Sequence, residues 1–192
     1  EVDELASNSS QKTLETIQSG TDNFTTRVNL DSEWEAGDAI GVYMLDAGTG
    51  NIRNSAMNIQ YNAEVTTTST TTDFVAANGG IGIYDQPCDF KAYYPYSSNE
   101  DGKVDMGAGL YNIDLSDQAG GISAHDLMWA EANGMNTADL QNNGLSLTFR
   151  HKLVLLRVHV KGNVTAENVT VSGLNTVATF DLLSGTLSEG ST

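Results

Sequence analysis

The stretch from Gly144 to Gly162, GLSLTFRHKLVLLRVHVKG, decides the fold class. Leu145, Leu147 and Phe149 alternate with Ser146 and Thr148, the period of two that a half-buried strand requires. Beyond Arg150, one face carries Val154, Leu156, Val158 and Val160. The other carries His151, Leu153, Leu155, Arg157 and His159. Apolar residues on both faces near Leu153–Leu156 predict a central strand covered on both sides there, or a change of face at a bulge.

The same short period recurs through the rest of the chain. Phe24, Thr26, Val28 and Leu30 alternate with Thr25, Arg27 and Asn29 and predict a first strand. Residues 31–38 read as a turn, and the apolar run 39–45 reads as the next strand. After a glycine-containing loop at 46–56, Met57, Ile59 and Tyr61 alternate with Asn58, Gln60 and Asn62. The threonine-rich run 66–72 predicts an exposed strand, with residues 73–77 as its partner. Further strands are expected within 90–98, ended by Pro95, and within 110–116, 126–132 and 168–187. Residues 136–141 suit one capped helical turn before Asn143-Gly144. No stretch beyond two turns keeps a helical period. Nine or ten short strands divided by Gly, Asn and Asp turns predict an all-β chain, a β-sandwich of short antiparallel strands. Residues 1–21 carry few large apolar side chains and read as a flexible tail, which leaves 22–192 for the sandwich.

Composition narrows the possible functions. The 192 residues hold 25 acidic against 9 basic side chains, a formal net charge of −16. A chain this negative repels nucleic-acid backbones and anionic lipid, so neither is an expected partner. The single cysteine, Cys88, makes no intrachain disulfide and reads as a small buried side chain. No run approaches the roughly 20 apolar residues that span a bilayer as a helix. The first residues show neither a basic region nor an apolar run, so no signal peptide is visible in them.

Catalytic motifs are absent from the sequence: it holds no phosphate loop, nucleophile elbow, HExxH or CxxC. His151 and His159 lie roughly 26 Å apart on a regular strand, too far to share a metal. Asp101 and Asp105 flank Lys103 and make a poor calcium loop. No cofactor, metal or enzymatic activity is expected. Tyr93, Tyr94 and Tyr96 could serve a surface glycan-binding module, but alternation turns Tyr93 and Tyr94 to opposite faces and favours packing. One charge pattern stands out. Arg150, Lys152, Arg157 and Lys161 are four of the nine basic residues, with no acid between Leu140 and Ala166. Such a strand could contact an acidic partner, or balance charges on neighbouring strands of its own chain.

Several short motifs occur in order: Trp34-Glu35-Ala36-Gly37-Asp38-Ala39-Ile40-Gly41-Val42-Tyr43-Met44, then Ala92-Tyr93-Tyr94-Pro95-Tyr96 and Asp126-Leu127-Met128-Trp129-Ala130. Phe149-Arg150-His151-Lys152-Leu153 and the span from Phe180-Asp181 to Ser184-Gly185 complete the series. Together they resemble the fimbrillin-like proteins of Bacteroidetes. The resemblance implies a transthyretin-like β-sandwich from an exported lipoprotein precursor. It also implies a pilus subunit, whether shaft, tip or anchor, that joins other pilin subunits by strand exchange and supports adhesion at the outer-membrane surface. In such proteins an Arg-specific protease trims an N-terminal segment, which makes Arg27 the candidate processing site and Phe24, Thr26, Val28 and Leu30 the candidate removable strand. A second, C-terminal sandwich is usual in the family and is not part of these 192 residues.

Overall fold

A computed structural model describes residues 12–14, 16–21, 33–67, 69–83, 86–118, 121, 124–154, 156, 170 and 172–190. The strands are β1 (Lys12–Leu14), β2 (Thr16–Thr21), β3 (Ala39–Asp46), β4 (Ile59–Ala63), β5 (Thr71–Ala76), β6 (Ile81–Ile83) and β7 (Cys88–Tyr94). After a 3₁₀ turn at Asn99–Asp101 come β8 (Val104–Asp105), β9 (Leu110–Asp114) and β10 (Met128–Met135). Helix α1 (Thr137–Asn143) precedes β11 (Leu145–His151), β12 (Val177–Asp181) and β13 (Thr186–Glu189).

The architecture is all-β, as the period-two pattern predicts, and it has two principal layers. One sheet runs β10-β11-β2-β5-β4-β3-β7 and closes on itself through the β7–β10 pair. The other is four-stranded, in the order β13-β12-β9-β8. β1 and β6 form a separate antiparallel pair.

Alternation on three strands builds two cores at once. Ile40, Val42 and Met44 of β3, Phe90 and Ala92 of β7, and Met128 and Ala130 of β10 point into the closed sheet. Tyr43, Tyr93 and Trp129 of the same strands point out and pack with Tyr111, Ile113 and Phe180 of the second sheet. Strands covered on both faces carry no polar side, which is why 39–45 reads as one apolar run.

α1 follows expectation closely. Asn136 caps it, its side chain accepting from the Asp139 N–H at 2.9 Å, and Gly144 ends it.

Four expectations change. Within the expected tail of residues 1–21, Lys12–Leu14 and Thr16–Thr21 are strands, and β2 lies inside the closed sheet. The threonine run and residues 73–77 are not partners, because Thr71–Ala76 is one continuous strand. The ladders are not all antiparallel: β2 runs parallel to β11. The long strand ends at His151, because Lys152 N–H turns to the Leu127 carbonyl at 2.8 Å. Val154 is 93 % exposed and Leu156 61 %, so neither has the two-sided cover expected of it. The expected strand carrying Phe24, Thr26, Val28 and Leu30 lies outside the described residues.

Candidate assembly site

β2 occupies a slot between two strands that come from distant parts of the chain. On one side it pairs antiparallel with β5, from Thr16↔Val75 to Gly20↔Thr71. On the other it pairs parallel with β11, from Leu145↔Ile17 to Phe149↔Thr21. Ile17 is fully buried, and so are Phe74, Leu145, Leu147 and Phe149 along the walls. β1 continues the same segment onto β6, whose Ile81 and Ile83 belong to the inner core. Without β2, the facing backbone groups of β5 and β11 would lose their partners, and buried unpaired groups are costly.

The Trp34–Asp38 turn braces this slot. Trp34 is 1 % exposed and meets Phe74, Tyr94 and Phe149 edge-on, with ring centroids 5.0, 5.3 and 5.4 Å away. Asp38 Oδ2 accepts from the Glu35 N–H at 2.8 Å, and its Oδ1 accepts from the Tyr94 hydroxyl at 2.9 Å. Gly37, at φ +102°, takes a backbone conformation that side chains rarely adopt. Tryptophan, glycine, aspartate and the distant tyrosine thus form one joint.

The remaining motifs tie the two layers together. Trp129 Nε1 donates to the Leu182 carbonyl at 2.8 Å, and its ring meets Phe180 at 6.3 Å. Gly185 lies so close to Trp129 that a Cβ there would come within 2.6 Å of the indole. Asp181 Oδ1 accepts from the N–H groups of Leu183 and Ser184 and shapes the closing turn.

Lys91, on the outer face of β7, bonds Glu131 at 2.5 Å and Asn133 at 2.7 Å. The hydrogen bond from Lys91 holds the Glu131 carboxyl below its ordinary range.

The basic residues separate. Lys152 stands 4.6 Å over the Trp129 ring and 5.4 Å over Phe180, so its cation is engaged within the chain. Burial, then the nearby Arg150, lowers its pKa. Arg150 is exposed on β11, while Arg157 and Lys161 lie outside the described residues, as does Arg27.

The tyrosines make no platform: Tyr93 is fully buried in the outer core, and Tyr94 packs against the inner one. Cys88 is buried, with Arg53 Nη1 3.1 Å from Sγ. Among the described residues no cluster of His, Cys, Asp and Glu could hold a metal, and no helix is long and apolar enough to cross a membrane.

A histidine–aspartate pair stands at the end of β11. His151 Nδ1 lies 2.6 Å from Asp126 Oδ1, both part-buried. The bond to Asp126 raises the histidine pKa, against the opposing effect of burial. Because the folded pKa exceeds the unfolded one, this pair's stabilisation is fully present below about pH 6.5. It fades as pH rises through the folded value. Urea midpoints measured from pH 5.5 upward should therefore show a fall that Asp126→Asn flattens. A slope unchanged by that substitution would show that the pair is not its source.

A closed seven-stranded sheet completed by β2, packed through a shared layer of aromatic residues on a four-stranded sheet, defines a two-layer all-β class. A family model described as fimbrillin-like matches residues 26–192, and the chain belongs to that family. It is 32 % identical over 181 residues to "Putative fimbrium subunit Fim1C" of Bacteroides uniformis. That match covers 84 % of this chain and 54 % of the relative, so the chain spans about half the relative's length. The fold resembles that of a "putative cell adhesion protein" from Bacteroides ovatus, with a TM-score of 0.55 at 20 % identity. That likeness covers 95 % of this chain and 69 % of the other. A fimbrial protein from the same species superposes at a TM-score of only 0.39, and nothing rests on it.

Proposed function

We propose that this chain is the strand-exchanging part of a fimbrial subunit, exported as a lipoprotein precursor and displayed at the outer-membrane surface. Its partners are other pilin subunits, with adhesion to a host or bacterial surface glycan or protein as the outcome of assembly. Catalysis has no part in the proposal. The observation that carries it is the seat of β2: a segment near the chain start fills a slot between β5 and β11. An extended segment from another subunit can satisfy the same two edges.

β1 and β2 add Lys12–Thr21 as a candidate removable segment, beside the Phe24–Leu30 strand that lies outside the described residues. Arg27 then falls after both β1 and β2 in sequence, so a cut there would free the whole segment. Arg53 suits cleavage less well, because its guanidinium reaches the Gln86 and Pro87 carbonyls and Asp46.

A chain beginning at Val28 tests the proposal directly. It should melt earlier than the full chain, and a synthetic peptide of residues 12–21 should raise its melting temperature in proportion to the logarithm of peptide concentration. A truncated chain as stable as the full one and indifferent to the peptide would refute the exchange.

A further inference from the structure

A cavity of ≈ 220 Å³ opens between the Asp101–Lys103 turn, the outer half of β9 and the turn at 124–127. One strand supplies both its floor and much of its rim. Tyr111 and Ile113 of β9 turn inward and, with Leu127 and Leu153, make the floor apolar. Asn112 and Asp114 alternate with them and face outward, joined at the rim by Asp101, Lys103 and His125.

The rim is fixed before any ligand arrives. Asp101 Oδ1 accepts from the Ser97 hydroxyl at 2.5 Å and from the Lys103 N–H at 2.9 Å. Asp114 Oδ1 accepts from the Ser116 N–H at 2.9 Å, and Asn112 Nδ2 donates to the Gly102 carbonyl at 3.3 Å. These bonds engage Oδ1 of each carboxylate, and the Ser116 side chain bonds Asp114 as well.

Three properties define what fits. The volume falls below the roughly 300–1,000 Å³ of sites for drug-sized ligands, so one ring enters and a chain does not. Two carboxylates against one lysine, on a chain of net charge −16, disfavour phosphate, sulfate and uronic acid. Acceptors from Asp101 and Asp114 stand beside donors from Lys103 and Asn112, which suits hydroxyl groups that donate and accept at once. The apolar floor suits the C–H face of a pyranose.

We propose that this cavity binds a single uncharged sugar ring, the terminal unit of a surface glycan. The site lies in the second sheet and does not depend on exchange at β2, so either proposal can fail alone.

The test is a ¹H–¹⁵N NMR titration of the full chain with galactose, glucose, mannose and N-acetylglucosamine, and with glucuronate as the anionic probe. At least one neutral sugar should shift amides around Asn112 and His125 with millimolar affinity, and glucuronate should not. The double substitution Asn112→Ala with Asp114→Ala removes two exposed side chains and their rim bonds to Gly102 and Ser116, and no core group. It should weaken the response about tenfold or more while the amide signals of β3 stay in place, the sign that both cores remain folded. No shift with any neutral sugar, an equal response to glucuronate, or an unweakened response in the double variant would each overturn the proposal.

Discussion

Gly41→Ala is expected to destabilise the fold by roughly 3 kcal/mol or more, near the upper end for an overpacked core, and to lower Tm by about 6–12 °C. The backbone at Gly41 has no positive φ, so its conformation suits alanine and the cost is steric. A Cβ there would collide with the Tyr93 ring and the Asn58 side-chain oxygen. Neither can step aside. The Tyr93 hydroxyl donates to Asn58 Oδ1 at 2.7 Å and accepts from the Ser97 N–H at 3.2 Å, while Asn58 Nδ2 donates to the Ser97 carbonyl at 2.9 Å. Tyr111 stands edge-on to the same ring, with centroids 5.6 Å apart. The contact also lies on β3, which belongs to both cores, so the strain reaches both layers. Gly48→Ala is the matched control, because its Cβ would meet nothing closer than an Asp46 oxygen at 3.7 Å. Urea midpoints of the two variants decide the matter. A Gly41→Ala midpoint no lower than that of Gly48→Ala would show that the glycine is not a packing requirement.

The sequence pattern predicts strands well where the chain itself creates the reason for them. β3 is apolar on both faces, and Phe90 with Ala92, Met128 with Ala130, and Leu145, Leu147 and Phe149 alternate cleanly, because their own side chains fill the cores. The order of motifs was legible for the same cause: Trp34 with Tyr94, and Trp129 with Phe180, are contacts between quoted motifs.

β2 was not legible. Thr16–Thr21 offers Ile17 as its single large apolar residue, followed by Ser19 and Gly20. Two waiting edges determine its conformation, and edges as remote in sequence as Thr71–Ala76 and Leu145–His151 leave no local period to read. Likewise, no periodicity announces that β2 runs parallel to β11, since alternation is the same for either direction. The cavity beside β9 leaves no sequence signal, because Asp101, Asn112 and His125 come from three separate segments that only the tertiary fold unites.

Ile17→Asp separates a detachable β2 from an integral one. Ile17 is fully buried, opposite Phe74 on one side and Leu145 on the other. An ionised carboxylate cannot remain there without a partner, at a cost of several kcal/mol. If β2 is a seated but separable strand, the chain escapes that cost by releasing it, and the two cores stay largely formed. Amide exchange should then accelerate roughly a hundredfold on the groups of β5 and β11 that face β2, since about 1.4 kcal/mol corresponds to each tenfold. Amides between β9 and β12, in the other sheet, should keep most of their protection. If β2 is integral, protection falls together in both sheets, as expected for Gly41→Ala. That uniform loss would remove the physical basis for exchange at β5 and β11. The local loss would mean that releasing β2 bares two sheet edges while the rest of the sandwich stands ready to receive a strand.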